Sequence, residues 1–346
     1  MAGGSGERFY PLSTKKHPKQ YLSIFSDKPL IAKTIERVLP LTDIDHIFVA
    51  TNEVQVDILK ECCPELPNRN IIIEPMFKDT AAAIGYGTLI INKYFPNSII
   101  AVLASDHLIK DENEFRKTLQ IAAENAEKGY ILTLGIEPSY PEIGYGYIEV
   151  DRPELNKPTS VLSFKEKPEL ETAKKYFKSG NFLWNSGMFI FNSNTIIDAF
   201  RKYAKKHYDI LKNINKLINE NTGVETSKLV SSYFDLFEKI SIDYAIMEHA
   251  KNLLVIPSSF GWSDVGSYLA FDSLFGKDAS GVVNLNAKYY SIDSKNNIIV
   301  SDTKDIEIDT IDVEDMIIAY SDGKLLISSK KGIKDLKKLL VQISKD

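Results

Sequence analysis

The sequence predicts an α/β protein with a mixed, mainly parallel central sheet, followed by a small all-β unit. Over the first two-thirds of the 346-residue chain, short runs of β-branched residues alternate with helical stretches. Those runs are continuously apolar, which is typical of a parallel sheet covered on both faces by helices. From about residue 281, short strands joined by Asp, Asn, Ser and Gly turns predict the all-β unit.

The individual elements follow from local patterns along the chain. Apolar, β-branched runs predict strands at 45–51, 70–75, 98–106, 129–136, 145–150, 160–168 and 183–192. Apolar periodicity and end signals predict helices at 80–95, 111–129, 169–179 and 334–343, and a helical region over 193–250 interrupted near "ENTGVE". The change of pattern divides the chain into a large domain at 1–275 and a small β-rich domain with a terminal helix at 281–346.

Composition excludes several classes of protein. The formal net charge of −5 argues against a general nucleic-acid binder. No apolar run approaches the roughly 20 residues that span a bilayer, and no apolar segment of the secretory type begins the chain. The two cysteines, Cys62 and Cys63, are adjacent, which excludes a disulfide framework and a cysteine metal site. We therefore expect a cytoplasmic protein that acts on small molecules, without membrane or nucleic-acid partners.

The opening stretch "AGGSGER" has the composition of a phosphate-binding loop. Gly3, Gly4 and Gly6 allow consecutive backbone N–H groups to face one concavity, and glycine permits the close approach of a phosphate. Arg8 and Lys19 can add positive charge. The spacing is neither that of a P-loop nor that of the dinucleotide fingerprint. The alternative is an ordinary glycine-rich turn without a ligand.

Two aspartates follow apolar segments and could share one metal ion. Asp106 in "AVLASDH" lies just past the carboxyl end of a predicted strand, where open α/β sheets bind ligands. Asp264 lies in the glycine-flanked turn "GWSDVGS". Carboxylates in such positions suit Mg²⁺, which keeps waters and substrate phosphates in its shell. The alternative for each aspartate is a helix cap.

A third group of polar residues lies in the mixed region. Glu166 and Lys167 in "FKEKP" are adjacent, so in a strand their side chains would face opposite ways. One of them could then reach a ligand while the other pairs locally. Asn185 in "WNSGMFIF" can donate hydrogen bonds to hydroxyls and accept them.

Taken in order, stretches between residues 2 and 267 resemble one family. They are "AGGSGERFYPLS", "PKQYL", "EPMFKDTAAAI", "ASDH", "PEIGYGYIE", "FKEKP", "WNSGMFIF", "SIDYAIME" and "GWSDVGS". The chain resembles the sugar-nucleotide pyrophosphorylases, and within them the mannose-1-phosphate guanylyltransferases. The resemblance implies a Rossmann-like nucleotide-diphospho-sugar transferase fold and a small C-terminal β-helix-like domain. Independently of the resemblance, an exposed β-rich tail could supply a homodimer contact.

The resemblance also implies a reaction. Mannose 1-phosphate attacks the α-phosphorus of GTP in line, and with Mg²⁺ the products are GDP-mannose and pyrophosphate. It assigns catalytic roles to Arg8, Lys19 and Lys167, and metal binding to Asp106 and Asp264. It assigns nucleotide binding to Gly3, Gly4, Gly6, Arg8, Glu74, Thr80, Ser105 and Asp106. It assigns sugar-phosphate binding to Gly146, Glu166, Lys167 and Asn185.

The choice of base has a physical argument of its own. Guanine presents two neighbouring donors, N1–H and the N2 amino group, and one carboxylate can accept from both. Glu74, at the end of the predicted strand "NIIIEP", is placed to do this, with Thr80 closing the pocket. The family commonly has Arg-Asn-Thr-Ala-Pro where this chain has "KDTAA", so Asp79 adds a negative charge near the nucleotide. A related thymidylyl- or uridylyltransferase and a non-catalytic sugar-nucleotide sensor stay open as alternatives.

Only Met1 and Ala2 precede the loop, although such a loop normally follows a buried strand. Members of the family run a hydrophobic strand directly into "AGGSG". A central strand of that kind buries about three large side chains, each contributing roughly 1.5–3 kcal/mol. We therefore expect the natural chain to begin several residues upstream of Met1, and the structure to show an empty slot in the middle of the sheet.

Overall fold

A computed structural model describes residues 1–4, 6–220 and 224–344. Its helices are α1 (Leu30–Val38), α2 (Val56–Cys62), α3 (Asp79–Tyr94), α4 (Glu112–Ala126), α5 (Leu170–Ser179), α6 (Ser193–Tyr203), α7 (Lys205–Glu220), α8 (Val224–Asp235), α9 (Phe271–Leu274) and α10 (Leu336–Ile343).

The strands of the larger N-terminal part are β1 (Val49–Asn52), β2 (Ile71–Glu74), β3 (Ile99–Val102), β4 (Leu108–Ile109), β5 (Ile131–Ile136), β6 (Tyr147–Glu149), β7 (Thr159–Ser160), β8 (Ser163–Lys165), β9 (Phe182–Asn192), β10 (Leu253–Ser258) and β11 (Trp262–Ser263). Those of the C-terminal part are β12 (Val283–Leu285), β13 (Lys288–Ile292), β14 (Ile298–Ser301), β15 (Glu307–Ile311), β16 (Met316–Ser321) and β17 (Lys324–Ser329).

The predicted α/β alternation is confirmed, and each predicted strand and helix corresponds to an observed one. The predicted strands at 45–51 and 160–168 start four and three residues before β1 and β8, respectively. The interruption of the helical region near "ENTGVE" lies partly outside the described residues. The boundary between domains at 275–281 stays a prediction.

The main sheet is mixed, and the long strand β9 is its organising element. β9 pairs antiparallel with β3, β5 and β6, so these three share one direction, and β10 pairs parallel with β5. The strand order is β7-β10-β5-β9-β6-β8, with β3 also bonded to β9. The mixed central sheet is therefore confirmed.

β1 and β2 form a separate parallel pair, so the sheet is divided. Between β1 and β3 lies a cavity of about 740 Å³, lined by both strands and by α1 and α3. We call this cavity the slot. The backbone of Met1 and Ala2 lies across one end of the slot and leads directly into the glycine loop.

The C-terminal strands form a short parallel coil. β12 pairs parallel with β14, β14 with β16, and β13 with β15. The coil advances by 15 residues from β12 to β14, where Val283 pairs with Ile298, and by 19 residues from β14 to β16, where Ile298 pairs with Ile317. Asn297 supports the second step, because its side-chain oxygen accepts the N–H of Met316. The predicted β-helix-like unit is therefore confirmed.

This coil shares a hydrophobic core with the opening segment of the chain. Phe9 and Leu12 pack in one cluster with Tyr268, Val283 and Ile298, and all five side chains are buried. The hydroxyl of Tyr268 donates to the backbone oxygen of Phe9 at 2.9 Å. The segment that follows the glycine loop is therefore fixed by residues from the C-terminal part. Among the described residues, no helix has the length and apolar character needed to cross a membrane.

Candidate functional site

Two buried glutamines hold the glycine loop from behind. Gln20 donates its amide to the backbone oxygens of Ala2 at 2.8 Å and Gly4 at 3.2 Å. Gln55 donates to the same oxygen of Gly4 at 3.3 Å. The C=O and N–H of a trans peptide point in opposite directions, so the Ala2 carbonyl turned towards Gln20 leaves the N–H of Gly3 facing away from it. That orientation suits an anion on the outer side of the loop.

Gly6 is the position where only glycine fits. Its φ is +59°, and a Cβ placed there would lie 2.4 Å from the backbone nitrogen of Lys19. The loop therefore packs directly on the short helical turn that begins with Lys19. Arg8 is exposed at the end of the loop. Ser5 lies outside the described residues.

Lys19 joins the loop to both predicted metal ligands. Its side chain is almost fully buried, and its ammonium contacts Oδ2 of Asp106 at 3.1 Å and donates to the backbone oxygen of Asp264. Burial favours the neutral form of Asp106, but the positive charge of Lys19 and its hydrogen bond outweigh it and lower the pKa of this carboxyl below its ordinary value. Asp106 is therefore ionised at neutral pH.

A short antiparallel pair brings the two aspartate segments together. β11 pairs with β4, so that Trp262 lies opposite Ile109. The indole N–H of Trp262 donates to Nδ1 of His107 at 3.0 Å. Since Nδ1 accepts, the neutral ring carries its proton on Nε2, which lies 3.9 Å from Oδ1 of Asp106. Burial lowers the pKa of His107, which keeps the ring neutral.

Neither Asp106 nor Asp264 caps a helix, which was the alternative to metal binding. The cap of α4 is Asp111, whose side chain accepts the N–H of Glu114. The short helix after Asp264 takes its cap from Ser267. Asp264 instead accepts the hydroxyl of Tyr145 at 2.6 Å.

Glu74 adjoins the glycine loop on the side of β2. A Cβ on Gly3 would lie 3.6 Å from Oε1 of Glu74, so the carboxylate faces the loop backbone. Glu74 is only 8% exposed, and burial raises its pKa to about 7, partly offset by the ammonium of Met1. The site therefore holds a carboxyl group that changes its charge near neutral pH.

Thr80 and Ser105, also predicted to bind nucleotide, have structural partners. The hydroxyl oxygen of Thr80 accepts the N–H of Ile242 at 2.9 Å, which ties α3 to the turn after α8. The hydroxyl and the N–H of Ser105 both donate to the backbone oxygen of Met1, at 2.9 and 3.1 Å. Both residues therefore hold backbone segments in place.

The four residues predicted to bind the sugar phosphate lie together. The N–H of Asn185 donates to the backbone oxygen of Gly146 at 2.8 Å. A Cβ on Gly146 would lie 2.5 Å from Oε2 of Glu166, which explains the glycine. The ammonium of Lys167 contacts the other oxygen of Glu166 at 2.6 Å.

The expectation that Glu166 and Lys167 face opposite ways is wrong. β8 ends at Lys165, so neither residue lies in a strand. Lys167 has a φ of +41°, and this left-handed backbone turns its side chain back to the Glu166 carboxylate. The two residues therefore form one ion pair at the edge of the sugar-phosphate cluster.

Asp243 is a further member of this cluster. It begins a π-helical turn, Asp243–Met247, and Oδ1 accepts the amide of Asn185 at 2.9 Å. The amide oxygen of Asn185 accepts in turn from the hydroxyl of Thr133 at 3.0 Å, so the orientation of Asn185 is fixed. Burial, with the nearby Glu166 carboxylate, raises the pKa of Asp243 to about 6.

Sequence reasoning missed four residues of the site: Gln20, Gln55, Tyr145 and Asp243. Three of them lie in stretches that carry the resemblance, "PKQYL", "PEIGYGYIE" and "SIDYAIME", and those stretches were the available signal. Gln55 had no such signal, because its role depends on a contact with the carbonyl of Gly4.

Comparison with known proteins gives one consistent result. The sequence model of the family described as nucleotidyl transferase matches residues 1–280. A mannose-1-phosphate guanylyltransferase of Salmonella typhimurium is 35% identical over 347 aligned residues, which cover 98% of this chain and 71% of the relative. An Escherichia coli K12 protein of the same name is 34% identical, covering 100% of this chain and 73% of that protein.

Two solved structures are similar to the chain. A crystal structure from Thermus thermophilus, described as a mannose-1-phosphate geranyltransferase, superposes with a TM-score of 0.89 at 28% identity and covers 99% of this chain and 98% of its own. A Helicobacter pylori structure described as a mannose-6-phosphate isomerase has a TM-score of 0.61 at 29% identity, covering 72% of this chain and 95% of that chain.

Proposed function

The chain belongs to the nucleotidyl transferase family, and from that premise we propose that it makes GDP-mannose and pyrophosphate from GTP and mannose 1-phosphate. The observation that carries the proposal is the contact of one buried ammonium, Lys19, with the segments of both Asp106 and Asp264 directly beneath the glycine loop. This arrangement brings a positive charge and two aspartate segments together beneath the loop, where a triphosphate would bind. The relatives named mannose-1-phosphate guanylyltransferases support the choice of substrates.

In the proposed reaction, an oxygen of the mannose 1-phosphate attacks the α-phosphorus of GTP. A new P–O bond forms, the bond from the α-phosphorus to the bridging oxygen breaks, and pyrophosphate leaves with that electron pair. Such transfers depend on positioning and on stabilising charge rather than on a protein nucleophile. The backbone N–H of Gly3 and the guanidinium of Arg8 bind the β- and γ-phosphates, and Lys19 faces the α-phosphate.

Asp106 and Asp264 fit a magnesium ion. One oxygen of Asp106 contacts Lys19 and one oxygen of Asp264 accepts the Tyr145 hydroxyl, so each carboxylate has a second oxygen for a cation. Among the described residues, no group of three or more His, Cys, Asp or Glu side chains is arranged around one point. Mg²⁺ is commonly bound by one or two carboxylates, with waters and substrate phosphates as its remaining ligands. When bound, the ion would neutralise charge on the phosphates.

Glu74 selects the base in this proposal. Its ionised carboxylate accepts N1–H and the N2 amino group of guanine, whereas the edge of uracil or thymine offers a single donor between two acceptors. Its position beside Gly3 supports this role, because a base bound by Glu74 would adjoin the glycine loop that binds the phosphates in this proposal.

The sugar is bound by two carboxyl groups. Glu166 and Asp243 supply acceptors for neighbouring hydroxyls, and Lys167 pairs with the sugar phosphate. Asn185 fixes Asp243, because its amide is already bonded on both sides. Gly146 leaves room for the Glu166 carboxylate.

The experiment is a substrate panel with pyrophosphate release as the readout. Purified protein and Mg²⁺ are supplied with GTP, UTP or dTTP, each with mannose 1-phosphate or glucose 1-phosphate. We expect the highest kcat/KM for GTP with mannose 1-phosphate. A higher value for UTP or dTTP would assign the chain to a different member of the family. Binding of GDP-mannose without pyrophosphate release from any pair would indicate a sensor instead of an enzyme.

A further inference from the structure

The turn that carries Asp264 is anchored on both sides of this residue. The backbone oxygen of Asp264 accepts a hydrogen bond from the ammonium of Lys19. The next residue, Val265, is fully buried in the core shared with the C-terminal coil, and its φ is +46°. A β-branched residue rarely adopts this left-handed backbone, which persists only where the surrounding structure enforces it. The backbone of Asp264 is therefore fixed, and rotation of its side chain is the freedom that remains.

Tyr145 removes this remaining freedom. Its hydroxyl donates to Oδ1 of Asp264 at 2.6 Å, although the two residues lie 119 positions apart in the chain. The other carboxylate oxygen, Oδ2, lies beside Gly266, where a Cβ would approach it to 3.0 Å. Because Gly266 has no side chain, there is space beside Oδ2, and this is the oxygen that Tyr145 leaves available to a cation.

The ring of Tyr145 is held by both tryptophans of the chain. The sequence contains two, Trp184 and Trp262. The Tyr145 ring packs edge-on against each of them, with ring centroids 5.2 Å apart in both pairs. Trp262 in turn donates its indole N–H to His107, the neighbour of Asp106. Aromatic pairs in this geometry are favourable, so packing sets the direction in which the Tyr145 hydroxyl points.

The backbone of Tyr145 is fixed by the sugar-phosphate cluster. Its neighbour Gly146 accepts the N–H of Asn185 at 2.8 Å and has no room for a Cβ beside the Glu166 carboxylate. The hydroxyl points away from this cluster to Asp264. Tyr145 therefore connects two parts of the site, and its hydroxyl serves the aspartate rather than the sugar residues.

We propose that Tyr145 is a positioning residue for the cation site, which holds Oδ1 of Asp264 so that Oδ2 is presented to a divalent cation. The inference rests on the magnesium site of the proposed function and adds to it a residue that does not contact the cation. Hydrogen bonds to ligating carboxylates fix their orientation, and losing such a partner lowers metal affinity. Without the hydroxyl, the Asp264 side chain can rotate, and ordering it then costs part of the binding free energy.

The test measures binding of Mn²⁺, which prefers the same oxygen ligands as Mg²⁺, in the absence of substrates. Electron paramagnetic resonance quantifies free Mn²⁺ in titrations of the parent protein, Tyr145→Phe and Tyr147→Phe. Each variant keeps its ring and loses one hydroxyl. The hydroxyl of Tyr147 donates to the backbone oxygen of Glu142 at 2.8 Å, which makes Tyr147→Phe the matched control. Tryptophan emission reports on the packing around Tyr145, because both tryptophans contact its ring.

We expect Tyr145→Phe to raise the Kd for Mn²⁺ about tenfold with unchanged tryptophan emission, and Tyr147→Phe to leave this Kd unchanged. Unchanged or tighter binding in Tyr145→Phe would overturn the proposal, and so would a parent protein that does not bind Mn²⁺. A changed emission in Tyr145→Phe, or an equal loss in Tyr147→Phe, would also overturn it. In those cases the affinity would depend on packing of the aromatic cluster rather than on the hydroxyl.

This outcome is separate from that of the substrate panel. Pyrophosphate release by a protein whose Mn²⁺ affinity is indifferent to Tyr145 would refute this inference and leave the proposed function standing. Mn²⁺ binding that depends on Tyr145, without pyrophosphate release from any substrate pair, would do the reverse.

Discussion

Gly6 gives the sharpest test of how the glycine loop supports the site. Replacing Gly6 by alanine puts a Cβ 2.4 Å from the backbone nitrogen of Lys19, a separation at least about 0.6 Å shorter than real Cβ contacts show. The left-handed φ of +59° adds about 1–2 kcal/mol of strain for a residue with a side chain. Because the clash is with backbone, the turn that holds Lys19 has to move.

A displacement of this size changes the contact on which the proposed function depends. The ammonium of Lys19 lies 3.1 Å from Asp106, and a shift of about 0.6 Å takes that pair out of its present geometry. Misplacement of a catalytic group by about 1 Å can cost on the order of 10²-fold in rate. We therefore expect Gly6→Ala to lower kcat/KM for pyrophosphate release by about 10²-fold, and to lower Tm by several degrees.

Two other glycines separate strain from displacement. Gly180 also has a positive φ, +73°, but a Cβ there meets nothing within 4 Å, so Gly180→Ala should lower Tm and leave kcat/KM unchanged. A Cβ on Gly4 also meets nothing within 4 Å, and Gly4→Ala should leave Tm unchanged. If Gly6→Ala and Gly180→Ala had the same kcat/KM, the argument from Lys19 would be refuted.

The further predictions concern three carboxyl groups, those of Asp243, Glu74 and Asp264. Burial raises the pKa of Asp243 to about 6, so its ionised form destabilises the fold; this cost is absent below about pH 4 and complete above about pH 6. Asp243→Asn should therefore raise the free energy of unfolding by about 1–3 kcal/mol at pH 8 but not at pH 4. The same substitution should increase KM for mannose 1-phosphate. An equal change in stability at both pH values would contradict the cost assigned to the ionised Asp243. Glu74→Gln should weaken use of GTP by about 1–3 kcal/mol, with UTP and dTTP little changed, and unaltered discrimination among the three would refute the role of Glu74. Because the pKa of Glu74 is raised to about 7, KM for GTP should fall from pH 6 to pH 8 in the parent protein. Glu74→Gln should lose this trend. The Met1 ammonium is present in both proteins, so its own titration does not account for the difference. Asp264→Asn should raise the Mg²⁺ concentration needed for half-maximal pyrophosphate release at least tenfold. The control is Asp322→Asn, at an exposed position, which should leave that concentration unchanged. The same Mg²⁺ dependence in both variants would remove Asp264 from the proposed site.

The sequence predicted most of the scaffold because the relevant signals are local. β2 is a short apolar run, and β9 is apolar on both sides of its central Asn185-Ser186-Gly187. Asp106 could be placed past a strand end from the apolar run that precedes it. The mixed direction of the sheet needed more than local pattern, since it depends on β9 pairing with strands far away in the chain.

The errors and omissions at the site have a tertiary origin. Glu166 and Lys167 were expected to diverge because a strand was assumed to continue beyond Lys165, and a positive φ is invisible in a Glu-Lys pair. The role of Asp243 depends on its hydrogen bond with Asn185, which lies 58 positions away in the chain. The pKa of about 7 for Glu74 depends on burial, which no single stretch of sequence specifies.

The core shared by Phe9 and the C-terminal coil also bears on how the chain matures. The bond from Tyr268 to the oxygen of Phe9 joins residues 259 positions apart. At a synthesis rate of about 5–20 residues per second, Phe9 waits roughly 13–50 s for that partner to be made. Contacts of such long range form late in folding, because loop closure must precede them. The glycine loop is therefore translated well before the residues that support it, so a nascent chain should gain affinity for nucleotide only after Tyr268 and the C-terminal coil have been made.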